Sequence, residues 1–458
     1  MKTPIADFVR RYAAQGGARF HMPGHKGKPF LGVKGADTGC DLFSLEQLDI
    51  TEVAGADVLH DATGIIEESE CNATAFFGSR HTFYSTEGAT LAVQAMLALV
   101  AMELPRGTRV RFLAARNAHK SFLYGAALLD ADLTWLYPAR TAHLCECPLT
   151  PDDVKNALKR CEKMPHAVYL TSPDYLGNVA DVAGIAAVCD AHGVPLLVDN
   201  AHGAYLAFTE PSCHPLALGA AMCADSAHKT LPVLTGGAYL HISKKAPQRY
   251  VENARNALSL FASTSPSYLI MRSLDLCNAY LARNYPRRLA VCIERVARVK
   301  AALTAHGFAV LDGEPLKIVI GARKSGYTGE ALAAVLREHA IEPEFADGEY
   351  LVLMCTPENS AKELDRLCAV LCTLPIKDPK PAFLTSKIRP VSVLSVREAL
   401  LSPAEYVPAG EALGRIAAAP TVSCPPAVPI VVAGERIEAD AVSLFAHYGV
   451  DAVSVVKE

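Results

Sequence analysis

Hydrophobic and polar positions settle into a regular rhythm only after about residue 75. Before that, residues 1 to about 60 show little periodicity. They hold two compact clusters, Phe20-His-Met-Pro-Gly-His-Lys-Gly27 and Asp41-Leu-Phe-Ser-Leu-Glu-Gln-Leu-Asp49-Ile-Thr51, the first marked by Pro-Gly and Lys-Gly turn signals. An arm with so little core of its own is expected to lie across another surface, such as that of a partner subunit. A plain terminal extension would read the same way.

From residue 75 onward, strand and helix patterns alternate. Thr82 to Thr90 ends an extended piece and opens a long apolar helix running to about Glu103. Arg109–Ala115 and Thr134–Tyr137 read as strands, Ala118–Ala131 as a helix, and Pro151–Arg160 as a helix with an acidic first turn. Ala167–Ser172, Pro195–Asp199 and Met222–Ser226 are continuous apolar runs of the kind buried inside parallel sheets, and the helical run Val182–His192 bridges the first two. Gly237–Ile242 reads as another buried strand. Repeated crossovers of this type predict an α/β fold with a mostly parallel sheet covered by helices on both faces. Polar residues at the carboxyl ends of those strands should then face a ligand crevice.

After about residue 250 the alternation lapses. Phe261-Ala-Ser-Thr-Ser-Pro-Ser-Tyr268 is a hydroxyl-rich turn, followed by a long helical segment to about Thr304. A smaller α/β unit follows, with strands Leu316–Ile320 and Tyr350–Met354 and helices Gly329–His339 and Ser360–Leu371. Lys377-Asp-Pro-Lys-Pro-Ala reads as a linker. The expected organisation is an arm (1–60), a large domain (61–255), a small α/β domain (256–376) and a small C-terminal domain (385–458).

Composition narrows the function classes. A chain of 458 residues with 51% hydrophobic and 20% charged positions can bury a large interior, and more than one domain is expected. The net charge of −4 offers no electrostatic case for nucleic acid. The start lacks an apolar signal core and no uninterrupted apolar run reaches membrane-spanning length, so a cytoplasmic setting is expected. The 14 scattered cysteines fit the same reducing compartment. His143-Leu-Cys145-Glu-Cys147 has the look of a metal clip, but its alternation also fits an edge strand and no second cluster completes it.

Four strand ends or helix starts carry chemistry. Ser85-Thr86-Glu87-Gly88 passes from strand to helix, where hydroxyls, free N–H groups and the positive helix end favour a phosphate; an ordinary helix cap would look alike. Asn117-Ala-His119-Lys-Ser121 opens the next helix, so His119 is placed either to stack flat on an aromatic ligand or to cap that helix. Asp199-Asn-Ala-His202-Gly ends an apolar strand; its aspartate needs a cationic partner, such as a protonated ring nitrogen, or a hydrogen-bond network. Ser226-Ala-His228-Lys229-Thr230 frames a lysine between small and hydroxylated residues, as suits an amine held out of water to form a Schiff base, although a snorkelling lysine remains an alternative. Together, a phosphate seat, a ring-stacking imidazole, an aspartate for a pyridinium nitrogen and an amine specify pyridoxal 5'-phosphate as cofactor.

These same peptides, with Ser263-Thr-Ser-Pro-Ser267, Val396-Arg-Glu-Ala-Leu and Gly414-Arg-Ile, resemble the ornithine/lysine/arginine decarboxylases along nearly the whole chain. The similarity is to the short branch without an amino-terminal response-regulator-like domain. The resemblance implies the aspartate aminotransferase fold (fold type I). It makes Lys229 the Schiff-base lysine, Asp199 the partner of the pyridine nitrogen and His119 the ring-stacking residue. It places Ser85, Thr86, Ser226 and His228 at the phosphate, with Glu87 in the same turn and His202 beside the ring. It implies loss of CO2 from a basic amino acid to give an amine, with Lys229 or His228 returning the proton, in a homodimer or larger homo-oligomer whose active sites lie at subunit interfaces. The Ser263–Ser267 turn is then placed to reach a neighbouring subunit's cofactor.

Several positions depart from the family pattern. Gly236-Gly237 follow Thr235 where the family usually has glutamine and a small hydroxylated residue. Pro425-Pro-Ala-Val-Pro429 and Ala433-Gly434-Glu435 replace proline-rich and Pro-Gly-Glu runs, and Phe83-Tyr84 precede Ser85 in place of Asn-Gly. The fold also hosts transamination and β- or γ-elimination, and a non-catalytic regulatory relative is a further alternative. Recognition of a distal cation calls for a carboxylate, for which Glu344, Asp347, Glu349 and Glu435 are the candidates.

Overall fold

The computed structural model describes residues 1–28, 45–139, 143–381, 389–421 and 428–457. Asp41–Ser44 of the second arm cluster, Ala382 of the linker tract and Pro425–Ala427 of the proline-rich run lie outside the described residues.

A seven-stranded sheet dominates. Its strands are β1 (His81–Ser85), β2 (Arg111–Ala115), β3 (Asp132–Leu136), β4 (Ala167–Thr171), β5 (Leu196–Asp199), β6 (Met222–Asp225) and β7 (Ala238–Ile242), in the order β1-β7-β6-β5-β4-β2-β3. β2 runs parallel to β3 and β4, whereas β7 is antiparallel to both β1 and β6. β5, β6 and β7 are buried at every position, which explains why they read as unbroken apolar runs. This is the α/β architecture expected of fold type I.

The chain divides into two compact units, residues 1–99 with 199–286, and residues 100–198 with 287–458. In the first unit, the helices Ile65–Phe77, Gly88–Met102 and Gln248–Ser259 accompany β1, β6 and β7. The backbone N–H of Tyr84 on the sheet's edge strand donates to the buried Glu70 carboxylate at 2.9 Å, and Arg255 pairs with the other oxygen of Glu70 at 2.8 Å. The edge is thus covered by a side chain instead of a further strand.

The arm is more ordered than its sequence suggested. Pro4–Ala14 forms a helix, with proline in its first turn and Ile5, Ala6 and Val9 buried. The side chain of Asp275 accepts from the Ala6 N–H at 2.9 Å, satisfying one donor of that helix start. The signal was present in the sequence, since Ile5, Phe8, Val9 and Tyr12 recur at helical spacing, and the reading passed over it. A second correction is the helix Gln248–Ser259, where the alternation appeared to lapse. The long segment Tyr268–His306 is helical as expected, but Asn284 leaves the helical region two residues before Pro286, whose missing N–H breaks the ladder.

In the second unit, β2, β3 and β4 are joined by a smaller antiparallel sheet of β8 (Lys317–Gly321), β9 (Phe345–Ala346) and β10 (Tyr350–Met354), in the order β8-β10-β9. The C-terminal segment adds the antiparallel pair β11 (Ala404–Pro408) and β12 (Ala452–Val456), packed with Phe445, Leu444 and Ile437 into a core of its own. His143–Cys147 is a turn, closed by Glu146 N–H on the His143 carbonyl at 3.1 Å, and not the edge strand its alternation allowed. The His143 ring is committed to Asp347 through Nε2 at 2.8 Å and to the Cys145 N–H through Nδ1 at 3.2 Å, so its chemistry is structural.

Candidate active site

The first unit gathers the lysine and its neighbours from three chain segments. Lys229 lies in a single helical turn, Ala227–Thr230, directly after β6, and is half-buried. Its Nζ is 2.9 Å from Nε2 of His202, which belongs to the turn after β5 and is buried. Asp199 closes β5, 4% exposed, and its Oδ1 accepts the N–H of Ala201 at 3.1 Å, which shapes that turn. Ser226 occupies the position before the Lys229 turn, buried, with its side chain making no cap bond to it.

His228 lies in the same turn. Its N–H and its Nδ1 both meet the Gly237 carbonyl, at 3.1 and 3.0 Å. Burial, the largest influence, pulls its pKa below the usual histidine value, and nearby Lys229 acts in the same direction against the opposing Gly237 bond. A neutral imidazole with Nδ1–H donated to a carbonyl leaves Nε2 as an acceptor.

Ser85 and Thr86 are both buried at the end of β1, ahead of the 15-residue helix Gly88–Met102. The Ser85 hydroxyl donates to the Gly88 carbonyl at 2.9 Å and accepts the Glu87 N–H at 3.2 Å, so part of its capacity is spent shaping the turn. A Cβ placed on Gly88 would meet nothing within 4 Å, so the helix start opens onto free space. A helix start that faces open space, with hydroxyls beside it, suits an anion. Glu87 is exposed, and its carboxylate accepts the Ser263 N–H at 2.8 Å, anchoring the 261–268 turn within the same chain.

Gly236-Gly237, the departure from the family pattern, ties these pieces together. Gly236 has φ +97°, and a Cβ there would come within 2.8 Å of the Thr86 carbonyl oxygen. The Gly88 N–H donates to the Gly236 carbonyl at 2.7 Å. One loop therefore touches the Thr86 turn through Gly236 and the His228-Lys229 turn through Gly237.

His119 belongs to the second unit. It is half-buried at the start of the helix Lys120–Leu128, where its Nδ1 accepts the Ser121 N–H at 3.1 Å and contacts the Ser121 hydroxyl at 2.8 Å. Capping, one of its two sequence readings, is what its Nδ1 does, and its ring face is untouched by that role. The four carboxylates considered for a distal cation are also in the second unit, and each has a partner there. Glu435 is buried and paired with Arg116 at 3.1 Å while accepting the Val432 N–H at 2.7 Å. Asp347 holds His143 and the N–H groups of Glu349 and Tyr350. Glu349 pairs with Arg323 at 2.5 Å, and exposed Glu344 accepts the Tyr175 hydroxyl at 2.8 Å.

Sequence reasoning passed over Asp225, His214 and His241. All three are buried, and the histidine Nε2 atoms lie 3.0 and 3.2 Å from Asp225 Oδ2. The signal was present: Asp225 is a charged residue closing an apolar run, the same pattern that singled out Asp199.

The residues fit pyridoxal phosphate by their donor set: an amine beside an imidazole, a buried carboxylate at a strand end, and hydroxyls at a helix start open to space. The fold defines the class, that of the fold type I enzymes. The profile described as "Orn/Lys/Arg decarboxylase, major domain" matches residues 3–319, and the corresponding C-terminal domain profile matches residues 386–448. The chain is 31% identical to the protein YaaO of Bacillus subtilis over 96% of its length and 93% of that relative. It is 28% identical to the arginine decarboxylase of Bacillus anthracis, covering 96% of this chain and 91% of that one. The lysine decarboxylase LdcF of Francisella novicida superposes with a TM-score of 0.79 at 18% identity, covering 99% of this chain and 81% of that one, which establishes the shared fold. The chain belongs to the ornithine/lysine/arginine decarboxylase family. Among the described residues no helix is long and apolar enough to cross a membrane.

Proposed function

We propose that the protein is a pyridoxal phosphate-dependent decarboxylase of a basic amino acid, with arginine the first substrate to test. The observation that carries the reading is the 2.9 Å contact between Lys229 Nζ and His202 Nε2, set beside buried Asp199 at the strand end. Arginine is favoured because the arginine decarboxylase relative aligns over 96% of this chain, whereas the lysine decarboxylase structure, at 18% identity, speaks for the fold alone.

When bound, pyridoxal phosphate supplies a conjugated ring that takes up the electrons left behind by departing CO2. Lys229 would hold the cofactor through its amine. His202, with Nε2 2.9 Å from Lys229 Nζ, would exchange a proton with that amine. Asp199, buried at the strand end, would face the ring nitrogen. Ser226, Thr86, Ser85 and the helix start at Gly88 would hold the phosphate. Lys229 would deliver the proton that replaces CO2, since the one N–H of a neutral His228 ring is committed to the Gly237 carbonyl. We also propose that the protein acts as a homodimer or larger homo-oligomer, and that the arm is part of that contact.

The test offers purified protein with pyridoxal phosphate to arginine, lysine and ornithine separately, and measures CO2 and the amine formed. Lys229→Ala runs alongside. Amine from one substrate, absent in the variant, is the expected result. No CO2 from any of the three, with the cofactor bound at Lys229, would refute decarboxylation and turn attention to transamination or elimination.

A further inference from the structure

Asp225 is buried completely, four residues before Lys229, and both of its carboxylate oxygens face polar groups. Oδ1 accepts from Asn200 Nδ2 at 2.7 Å and faces the Cys223 thiol at 3.2 Å. Oδ2 faces His214 Nε2 at 3.0 Å and His241 Nε2 at 3.2 Å. The far sides of both rings are also fixed: the Leu216 N–H meets His214 Nδ1 at 3.4 Å, and the Thr82 hydroxyl meets His241 Nδ1 at 2.8 Å. Register explains the assembly. Cys223 and Asp225 share one face of β6, opposite His241 and Tyr239 on β7.

Burial alone would raise the Asp225 carboxyl, but the two imidazoles hold it well below the usual carboxylate range. His241 itself is pulled below the usual histidine value by burial. A carboxylate enclosed this completely is a costly arrangement unless it is used.

Its use is indicated by Asn200. That residue lies between Asp199 and the turn carrying His202. Its side chain is bound to Asp225 and its N–H donates to the Ala224 carbonyl at 2.9 Å. The Gly203 N–H closes the turn on the Asn200 carbonyl at 2.8 Å. The segment presenting Asp199 and His202 is therefore fastened to the segment presenting Ser226, His228 and Lys229 through the side chain and the backbone N–H of Asn200.

We propose that Asp225, held by His214 and His241 and joined to Asn200, is a positioning residue that sets His202 against Lys229 and favours a proton between them. Tyr239, opposite Asp225 on β7, Cys223 on its own strand and Asp199 at the end of β5 are the further ionisable groups around it. The proposal rests on Lys229 as the reactive amine, and its test is readable without turnover.

The experiment is reductive methylation of the full-length protein, freed of pyridoxal phosphate, with formaldehyde and cyanoborohydride, with the extent at Lys229 read by peptide mass spectrometry across a pH series. Asp225→Asn and Asn200→Ala are compared with wild type and with Thr82→Val, which removes only the distal hydroxyl on His241. The expected result is a downward shift of the Lys229 midpoint by about one pH unit in Asp225→Asn, since the carboxylate no longer favours the protonated amine. Asn200→Ala shifts it in the same direction with only a small loss of thermal stability, and lowers kcat of the holoenzyme about tenfold or more with little change in KM. Thr82→Val leaves the midpoint in place. If Asp225→Asn and Asn200→Ala lose thermal stability alone, with the midpoint unmoved, the residues are merely structural and the proposal fails. Stoichiometric zinc in the purified protein, lost in Cys223→Ser, would also overturn it, because His214, Cys223 and Asp225 would then be metal ligands. A shifted midpoint in a protein that releases no CO2 would sink decarboxylation while sustaining this assignment.

Discussion

Replacing Gly236 by alanine probes the join between the two halves of the proposed cofactor seat. Gly236 sits at φ +97°, outside the comfortable range of an L-residue, and the added Cβ would lie 2.8 Å from the Thr86 carbonyl oxygen. The obstacle is backbone, so no rotamer change relieves it. The strained φ alone costs about 1–2 kcal/mol. The contact forces the Thr86 turn or the Gly236 loop to move by several tenths of an ångström, for a total of about 2–4 kcal/mol on the scale of overpacked sites. Part of that cost falls on stability and part on the helix start that is proposed to take the phosphate. The assay is a pyridoxal phosphate titration followed by visible absorbance, with thermal unfolding of the unloaded protein measured in parallel. Cofactor affinity is expected to weaken about tenfold or more, since each 1.4 kcal/mol is a factor of ten. Gly237→Ala is the comparison. Its Cβ meets the Val233 side chain at 2.3 Å, which rotation can relieve in part, so the affinity loss should be smaller. Unchanged affinity and unchanged unfolding in Gly236→Ala would refute the reasoning. The same contact accounts for the sequence departure: a glutamine at this position could not coexist with the Thr86 carbonyl in its present place.

Other expectations can be checked directly. Glu435→Ala leaves the Arg116 guanidinium, largely buried and bound to the carbonyls of Pro429 and Ile430, without its counter-charge; a loss of about 3–5 kcal/mol in denaturant unfolding is expected. Arg116 also lies over the only tryptophan, Trp135, at 5.4 Å, so the same variant should change the native fluorescence. Burial pushes Asp275 and Asp174 up to about 6 from 3.8, so each binds its proton more tightly folded than unfolded. Their contribution to stability therefore falls as pH rises from about 4 to 6 and is lost above that, by about 2–3 kcal/mol per group at most. Unfolding of Asp275→Asn across that window should show a flatter pH profile than wild type. His202→Ala removes the partner of Lys229 Nζ and is expected to lower kcat about 10²-fold while the cofactor still binds.

Much of the fold was legible in local pattern. Apolar runs at β4, β5 and β6 mark buried strands because both faces are covered, and the alternation with helices dictates parallel crossovers. The site was legible in part for a related reason: Ser85, Asp199 and Lys229 stand at the ends of such runs, where a polar residue is out of keeping with its neighbours. The arm helix Pro4–Ala14 was legible in the spacing of Ile5, Phe8, Val9 and Tyr12, but its anchoring was not, since Asp275, which holds its start, is distant in sequence. Only the tertiary structure decided which polar groups are spent on one another. Glu435, Asp347 and Glu349 looked free to meet a substrate cation, yet each is committed to Arg116, His143 or Arg323 far away along the chain. Asp225 looked like part of a strand, yet it fastens the His202 turn to the Lys229 turn. Residue type and spacing determine what chemistry is on offer, because they act locally. Pairing partners depend on which strands lie side by side, and that is a property of the folded chain alone.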